Sequence, residues 1–481
     1  MRGEIDIVAE RWPDAEAFYR ERDQRTGLEV RDLERYALQP VQILVNPVAA
    51  TELTTQRIAL VAANLTARWA RRVQVVVPEV PLCSPLQACE EHSLGGRILR
   101  EMRSADPFGD FEVCEGPDRE WRPGFALRLF VGPWTDSAKL LPDDYQVDAC
   151  GWVARGSRGG QRMQPPARCG AAPAAALAAA IGAGDLFKRA IGHPSSHWLG
   201  RFEWSTWSHA FGSSIDRLLE PPCPSIADVG RVLLAGAGAI GSALLYVLLL
   251  GELNGNFTVL DRDCVDTSNL NRSPLFTAAD AARTRHKTVV ATGALWNRGV
   301  HASAVEGTWY EHGLKLSEER FDTWVSLTNE EAAWAEVPYQ LPPVVIHGTT
   351  TSGWGIAFGR HIPRLEDCTL CRLPLPHAEF RGPCSQGELN ETPAGNGPRA
   401  SLPFLSTVAA ALVAAELMKL SLPGVADQPN SVQADFRCGL PTVLAMSRLP
   451  TQGCPGCQMA HLELWAKRGG RGRYRGLSEP R

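Results

Sequence analysis

The sequence predicts an α/β protein of two units, on three observations. Residues 232–250, VLLAGAGAIGSALLYVLLL, run an apolar strand through a glycine turn into an apolar helix. Residues 41–46, 51–72 and 73–78 read as strand, amphipathic helix and strand, so the first half echoes the second without its glycines. Between them, LEPPCPSIADVG at 219–230 sets three prolines where no helix can continue. A chain of 481 residues also exceeds one ordinary core. The boundaries read as 1–218 for the first α/β unit, 219–465 for a second, Rossmann-like unit, and 466–481 for a basic, glycine-rich, disordered tail.

In the first unit, NPVAATE stands at the turn where a phosphate cradle needs glycine, which predicts an α/β domain without a working nucleotide site. Strands follow at 125–132 and 145–154. The alanine-rich helix at 171–192 then implies close helix packing. In the second unit, Gly236 permits the tight turn, Gly238 lets the backbone approach a phosphate, and Gly241 lets the helix pack on the strand. The amides opening that helix face an anion with the positive end of its dipole. A second strand, FTVLD, ends at Asp261, where a carboxylate suits the hydroxyls of a ribose.

Those features fit NAD and ATP alike, and the next segment separates the two. RDCVDTSNLNRSPLFTAADAARTRHK brings Asp263, Asn269, Arg272 and Lys287 shortly after the second strand. A planar guanidinium and a mobile ammonium suit a triphosphate, whereas a dinucleotide needs little here beyond the ribose carboxylate.

Charged residues make up 21% of the chain and the formal net charge is -4, which gives no electrostatic case for nucleic acid. No apolar run approaches the roughly 20 residues that span a bilayer. The amino terminus carries acids where a signal peptide needs an apolar core, so the expected location is cytoplasmic. Thirteen cysteines in a reducing compartment point to metal and thiol chemistry. DCTLC and GCPGC offer Cys368, Cys371, Cys454 and Cys457, a set for tetrahedral zinc that leaves no open position and is therefore structural. Cys384, in a glycine- and proline-rich stretch with Arg381 nearby, reads as a reachable thiol on an exposed loop. Cys223, Cys264 and Cys438 read as packing residues.

The run GAGAIG, VLDRDCVDTSNLNR and the following lysine resembles the ThiF/MoeB family, the adenylyltransferases to which ubiquitin-activating enzymes belong. The resemblance covers about residues 229–457. It implies a ThiF-type adenylation domain in which Gly236, Gly238, Gly241, Asp261, Asn269, Arg272 and Lys287 bind ATP. It also sets Cys384 at the place of the cysteine that takes the activated chain as a thioester. Two positions depart from the family pattern. Thr328 stands where an aspartate usually assists Mg2+, and Ser273 replaces a glutamine. Asp263, Glu330 and Glu331 are the substitute carboxylates nearby, since magnesium prefers anionic oxygen.

The implied activity is adenylation of the C-terminal carboxylate of a ubiquitin-like protein, thioester formation on Cys384 and transfer to a conjugating enzyme. ATP, Mg2+ and structural Zn2+ are the implied cofactors. Family active sites are assembled across a two-fold or pseudo-two-fold interface with an arginine from the other half. A homodimer is thus one implied assembly, and Arg35 the candidate arginine. The first unit is similar to the inactive adenylation half of ubiquitin-activating enzymes, and the layout to the activating proteins of bacterial ubiquitin-like conjugation operons linked to phage defence. Three alternatives remain open: a sulfur-carrier-protein adenylyltransferase, a peptide-adenylating enzyme that forms an amide, and a non-catalytic scaffold for a ubiquitin-like protein.

Overall fold

The computed structural model describes residues 2–28, 30, 32–86, 91–116, 125, 127–134, 140–159, 163, 166, 168–215, 220–328, 337–351, 354–372, 402, 404–467 and 472–474. Cys384, Arg381, Glu330 and Glu331 lie outside these residues.

An amino-terminal arm carries α1 (Arg2–Arg11), α2 (Ala15–Arg22) and α3 (Leu33–Ala37). The first sheet contains β1 (Val41–Val45), β2 (Arg72–Val77), β3 (Asp110–Glu115), β4 (Leu127–Val131), β5 (Tyr145–Cys150), β6 (Val153–Arg158), β7 (Phe202–Ser205) and β8 (Phe211–Gly212). With it go α4 (Leu53–Ala67), α5 (Leu94–Ala105) and α6 (Ala172–Ala190). The second sheet contains β9 (Ile226–Ala235), β10 (Glu252–Asp261), β11 (His301–Glu306), β12 (Thr323–Ser326), β13 (Val345–Thr351), β14 (Gly355–His361), β15 (Ser431–Asp435) and β16 (Thr442–Met446). Its helices are α7 (Ala239–Leu249), α8 (Ala278–Ala282), α9 (Lys287–Trp296), α10 (Trp309–Glu318), α11 (Thr369–Arg372), α12 (Leu405–Lys419) and α13 (Met459–Lys467).

The sheets share one topology. Their orders are β3-β2-β1-β4-β5-β6-β7-β8 and β11-β10-β9-β12-β13-β14-β15-β16, so every strand of the first has a counterpart in the second. In each, the first five strands are parallel and the last three antiparallel. The echo read from one β-α-β segment thus extends through a whole sheet. At 145–154 the structure corrects the expected single strand, because Gly151 adopts φ 60 and turns β5 back into β6.

The two units share a core. Helices α4 and α6 of the first pack together, and α12 packs on both α6 and α7. The expected amphipathic helix is instead buried throughout residues 54–67, because neighbours enclose it on every side. All of α6 is buried as well, its alanines allowing close approach as the composition implies. Phe187 on α6 meets Trp354 and Phe404 of the second unit at 6.0 and 6.1 Å between ring centres. Burying a ring of this size stabilises by roughly 2–3 kcal/mol, so these contacts help fix the two units together.

Polar contacts set the register. Arg68, buried beyond the end of α4, donates to the carbonyls of Leu270, Pro274 and Phe276 at 2.6, 2.8 and 3.1 Å, and burial lowers its pKa to about 9. The arm packs Trp12, Phe18 and Tyr19 against Val265, Leu270 and Phe276. Where the sequence suggests a loose tail, Tyr474 is buried with its hydroxyl 2.8 Å from that of Thr323, and Arg473 pairs with Asp228 at 2.7 Å.

In the first unit, the turn matching the glycine loop is filled by its own side chain. Asn46 Oδ1 accepts from the amides of Val48 and Ala49, and its Nδ2 donates to the carbonyl of Pro133. Leu44, Phe130, Trp134 and Leu140 cluster beside it.

Candidate functional site

A pocket of about 560 Å³ opens at the carboxyl ends of β9, β10, β12 and β13, where strand order reverses between β9 and β12. Such a crevice is where open α/β sheets take ligands.

The glycine loop forms its floor. Gly236 has φ 98, and a Cβ there would lie 2.8 Å from the carbonyl carbon and oxygen of Leu327. A Cβ on Gly241 would lie 2.1 Å from the carbonyl oxygen of Gly236. Gly238 differs: it caps α7, and a Cβ there meets nothing within 4 Å. Gly236 and Gly241 therefore serve the turn, and Gly238 keeps the space over the α7 amides open to a ligand. Asp261 braces the loop, its oxygens accepting from the amides of Ala237 and Asp263 at 2.7 and 2.9 Å. A carboxylate with two such bonds still has lone pairs for a sugar hydroxyl.

The segment after β10 supplies charge. Asp263 pairs with Lys287 Nζ at 2.8 Å, and the Lys287 amide donates to the Asp263 carbonyl, fixing the start of α9 to this wall. Burial alone would raise the Asp263 carboxyl, but Lys287 and Arg262 outweigh it and hold the carboxyl below its ordinary range. Asn269 accepts from the Asp266 amide while Asp266 accepts from the Ser268 amide, a reciprocal cap that shapes the turn. Arg272 is buried, held by the carbonyl of Ser268 and by Asn271 Oδ1.

All the sequence-derived nucleotide residues except Gly241 line this one pocket, and Thr328 lines it too. Arg35 does not: it is exposed on α3 and away from the lining. The arginine that the first unit contributes is Arg25, just beyond α2, whose Nε is buried without a partner among the described residues. Sequence reading missed it because the arm meets the pocket only through tertiary contacts. Two of them flank it, from Thr267 Oγ1 to Glu21 at 2.8 Å and from Asn271 Nδ2 to Thr26 at 2.6 Å. Arg25, Arg262, Arg272 and Lys287 face Asp261, Asp263 and Asp266, which suits an anion bound beside a hydroxylated group.

Away from the pocket, Cys368, Cys371, Cys454 and Cys457 converge with all four sulfurs within 4.8 Å of one another. Neighbouring sulfurs stand 3.8, 3.5 and 3.6 Å apart. Tetrahedral bonds of about 2.3 Å require sulfurs about 3.8 Å apart, so the set fits a zinc-sized ion. A Cβ on Gly456 would sit 2.9 Å from Cys368 Sγ, which explains the glycine in GCPGC. Of the other cysteines, Cys223 packs against the core as expected. Cys438 is exposed and Cys264 is partly exposed at the edge of the pocket, because each sits in a connection between elements. Cys384 lies outside the described residues.

No helix among the described residues is long and apolar enough to cross a membrane. A ubiquitin-activating enzyme E1-like protein of Saccharomyces cerevisiae is 45% identical over 60 residues, 12% of this chain. The chain thus spans about 9% of the length of that curated relative. Among solved structures, E. coli MccB with ATP is similar at 18% identity and a TM-score of 0.37, over 48% of this chain and 66% of that one. Microcin C7 biosynthetic enzyme MccB in complex with N-formylated MccA is similar at 18% identity and a TM-score of 0.37, over 48% and 67%. Residues 223–437, with the glycine loop, Arg272, Lys287 and the first cysteine pair among them, match the ThiF family.

Proposed function

We propose that the protein is an adenylyltransferase that activates the C-terminal carboxylate of a ubiquitin-like protein with ATP. The observation that carries this reading is the convergence of the glycine loop, Arg272, Lys287 and Arg25 on one pocket. The phosphates lie over Gly238 and the amino end of α7, and Asp261 takes the ribose hydroxyls. A carboxylate oxygen of the substrate attacks the α-phosphorus, and the bond to pyrophosphate breaks as the acyl adenylate forms. Arg272, Lys287 and Arg25 stabilise the charge that gathers on the phosphoryl oxygens. Mg2+ supplies further charge neutralisation when bound. With Asp261 given to the ribose, Asp263 is the pocket carboxylate that would hold it, since Thr328 brings no anionic oxygen.

In the second half-reaction, the thiolate of Cys384 attacks the acyl carbon and AMP leaves, giving a thioester for transfer to a conjugating enzyme. Zinc at the four cysteines is structural, tying α11 to the segment before α13. The first unit, its loop filled by Asn46, serves as the non-nucleotide half and supplies Arg25.

Pyrophosphate exchange with ATP, Mg2+ and candidate ubiquitin-like proteins tests the reading, followed by a non-reducing gel. A thiol-sensitive adduct absent from Cys384→Ala supports it. Exchange without an adduct favours the sulfur-carrier or amide-forming enzyme. Thr328 in the pocket favours a second reading, a scaffold that binds without turnover, and absence of both signals would select it.

A further inference from the structure

A second cavity, of about 1160 Å³, lies between the two units. Its walls include Trp152 after β5, Ala172 at the amino end of α6, Arg57 of α4, Pro221 and Pro222 of the connection, and Met418 of α12. By strand order β5 is the counterpart of β13, and α6 precedes β7 as α12 precedes β15. Both β13 and the start of α12, at Ser406, border the nucleotide pocket. The first unit thus keeps a cavity near the matching position, with different chemistry on its walls.

Arg57 gives that chemistry a direction. The residue is 7% exposed, with Nε donating to the Leu250 carbonyl at 2.8 Å and Nη1 to the Gly170 carbonyl at 2.9 Å. Its Nη2 has no hydrogen bond among the described residues and lies 3.6 Å from a Cβ built on Gly251, itself in the cavity wall. No carboxylate pairs with this guanidinium among the described residues. Burial makes the charged form costly, shifting its pKa below the ordinary value. Beside it α6 begins at Ala172, but Pro173 carries no N–H and the Ala171 amide already donates to the Gly151 carbonyl at 2.8 Å, so this wall relies on Arg57 Nη2 as its donor.

The remaining walls limit the ligand. Among the described residues no glycine loop cradles a polyphosphate, and Arg57 and Arg168 are matched in the lining by Glu220 and Glu252, a balance that suits one negative charge better than several. Trp152, the prolines and Met418 offer apolar surface instead. We propose that this cavity binds a monocarboxylate with an extended apolar body, its carboxylate on Arg57 Nη2.

The test is titration calorimetry of the full chain, saturated with ATP, using octanoate and octan-1-ol as probes. Octanoate is expected to bind once per chain and at least about tenfold more tightly than octan-1-ol, the value of a charge-assisted hydrogen bond. Arg57→Gln is expected to remove that difference. Because Arg57 also holds the carbonyl end of α7, Ser225→Trp provides a second variant, filling the cavity from its exposed rim while leaving Arg57 in place. It should weaken octanoate at least about tenfold. Octanoate binding that survives Ser225→Trp, that octan-1-ol equals, or that appears only without ATP overturns the proposal.

Discussion

The side-chain amide of Asn271 donates a 2.6 Å hydrogen bond to the hydroxyl of Thr26, and the residues beside them, Arg272 and Arg25, both line the glycine-loop pocket. One contact thus ties the arm of the first unit to the charged wall of the second. Arg25 Nε has no partner among the described residues, so its loss removes little protein structure. Arg25→Ala should lower ATP-dependent pyrophosphate exchange by about 100-fold, the usual cost of one aimed charge-stabilising group, with an unchanged melting temperature. Arg35→Ala, at an exposed position, should stay within about twofold. Equal effects of the two substitutions would remove the arm from the chemistry.

What the sequence made legible was local. The strand, glycine turn and helix at 232–250 follow from adjacent residues, and the two CxxC pairs from their spacing. Burial of α4 on all sides was not legible, because its pattern sees one face while α6 covers another. Nor was Arg25, whose place depends on contacts between residues 21–26 and 267–271 that no local pattern encodes. The single strand expected at 145–154 failed for a different reason, since Gly151 turns the chain within one apolar run.

One histidine in a buried cluster between the units contributes acid sensitivity. His209 Nε2 lies 3.0 Å from Glu416 Oε1, and Glu416 also pairs with Lys419 and with Arg360. Burial first, then Lys419, pushes the His209 pKa down to about 4 from its usual value of 6.5. Between those values the unfolded chain binds a proton that the folded protein does not. Stability from this group is therefore complete above pH 6.5 and falls as pH drops toward 4. The slope approaches about 1.4 kcal/mol per pH unit for one proton. Burial raises Glu366, which pairs with Arg360 in the same cluster, to about 7, so it takes a proton in the folded protein over the same range and offsets that loss. The test is therefore a difference: in urea unfolding between pH 7.5 and 5, His209→Gln should gain stability relative to the parent toward the acid end, by up to one proton's slope. A curve of unchanged slope in the variant would place the sensitivity elsewhere.

The cysteine centre should hold one zinc ion per chain, measurable by native mass spectrometry. Cys454 is buried among the other three sulfurs, so Cys454→Ser should abolish stoichiometric zinc. The melting temperature should fall by several degrees, because α11 and the segment before α13 lose their tie. The centre is separate from the residues that line the pocket. Exchange activity at low temperature should therefore persist in the variant. Its loss while the protein stays folded would mean that the metal shapes the pocket directly.

Two glycines two residues apart, Gly236 and Gly238, should respond differently to alanine. At Gly236 the backbone has φ 98, and the new Cβ would press on the Leu327 carbonyl at 2.8 Å. Neither strain can relax without moving β12 against β9, which pair beside it. Gly236→Ala should cost about 2 kcal/mol or more in urea unfolding. At Gly238 φ is -67 and nothing lies within 4 Å of the added methyl, so Gly238→Ala should unfold as the parent does. The methyl would nevertheless stand over the first amides of α7, where the proposed function sets a phosphate. ATP affinity by calorimetry should therefore fall at least about tenfold in Gly238→Ala at unchanged stability. A phosphate held elsewhere in the pocket would leave that affinity intact, so this variant separates the turn that the glycines build from the anion they admit.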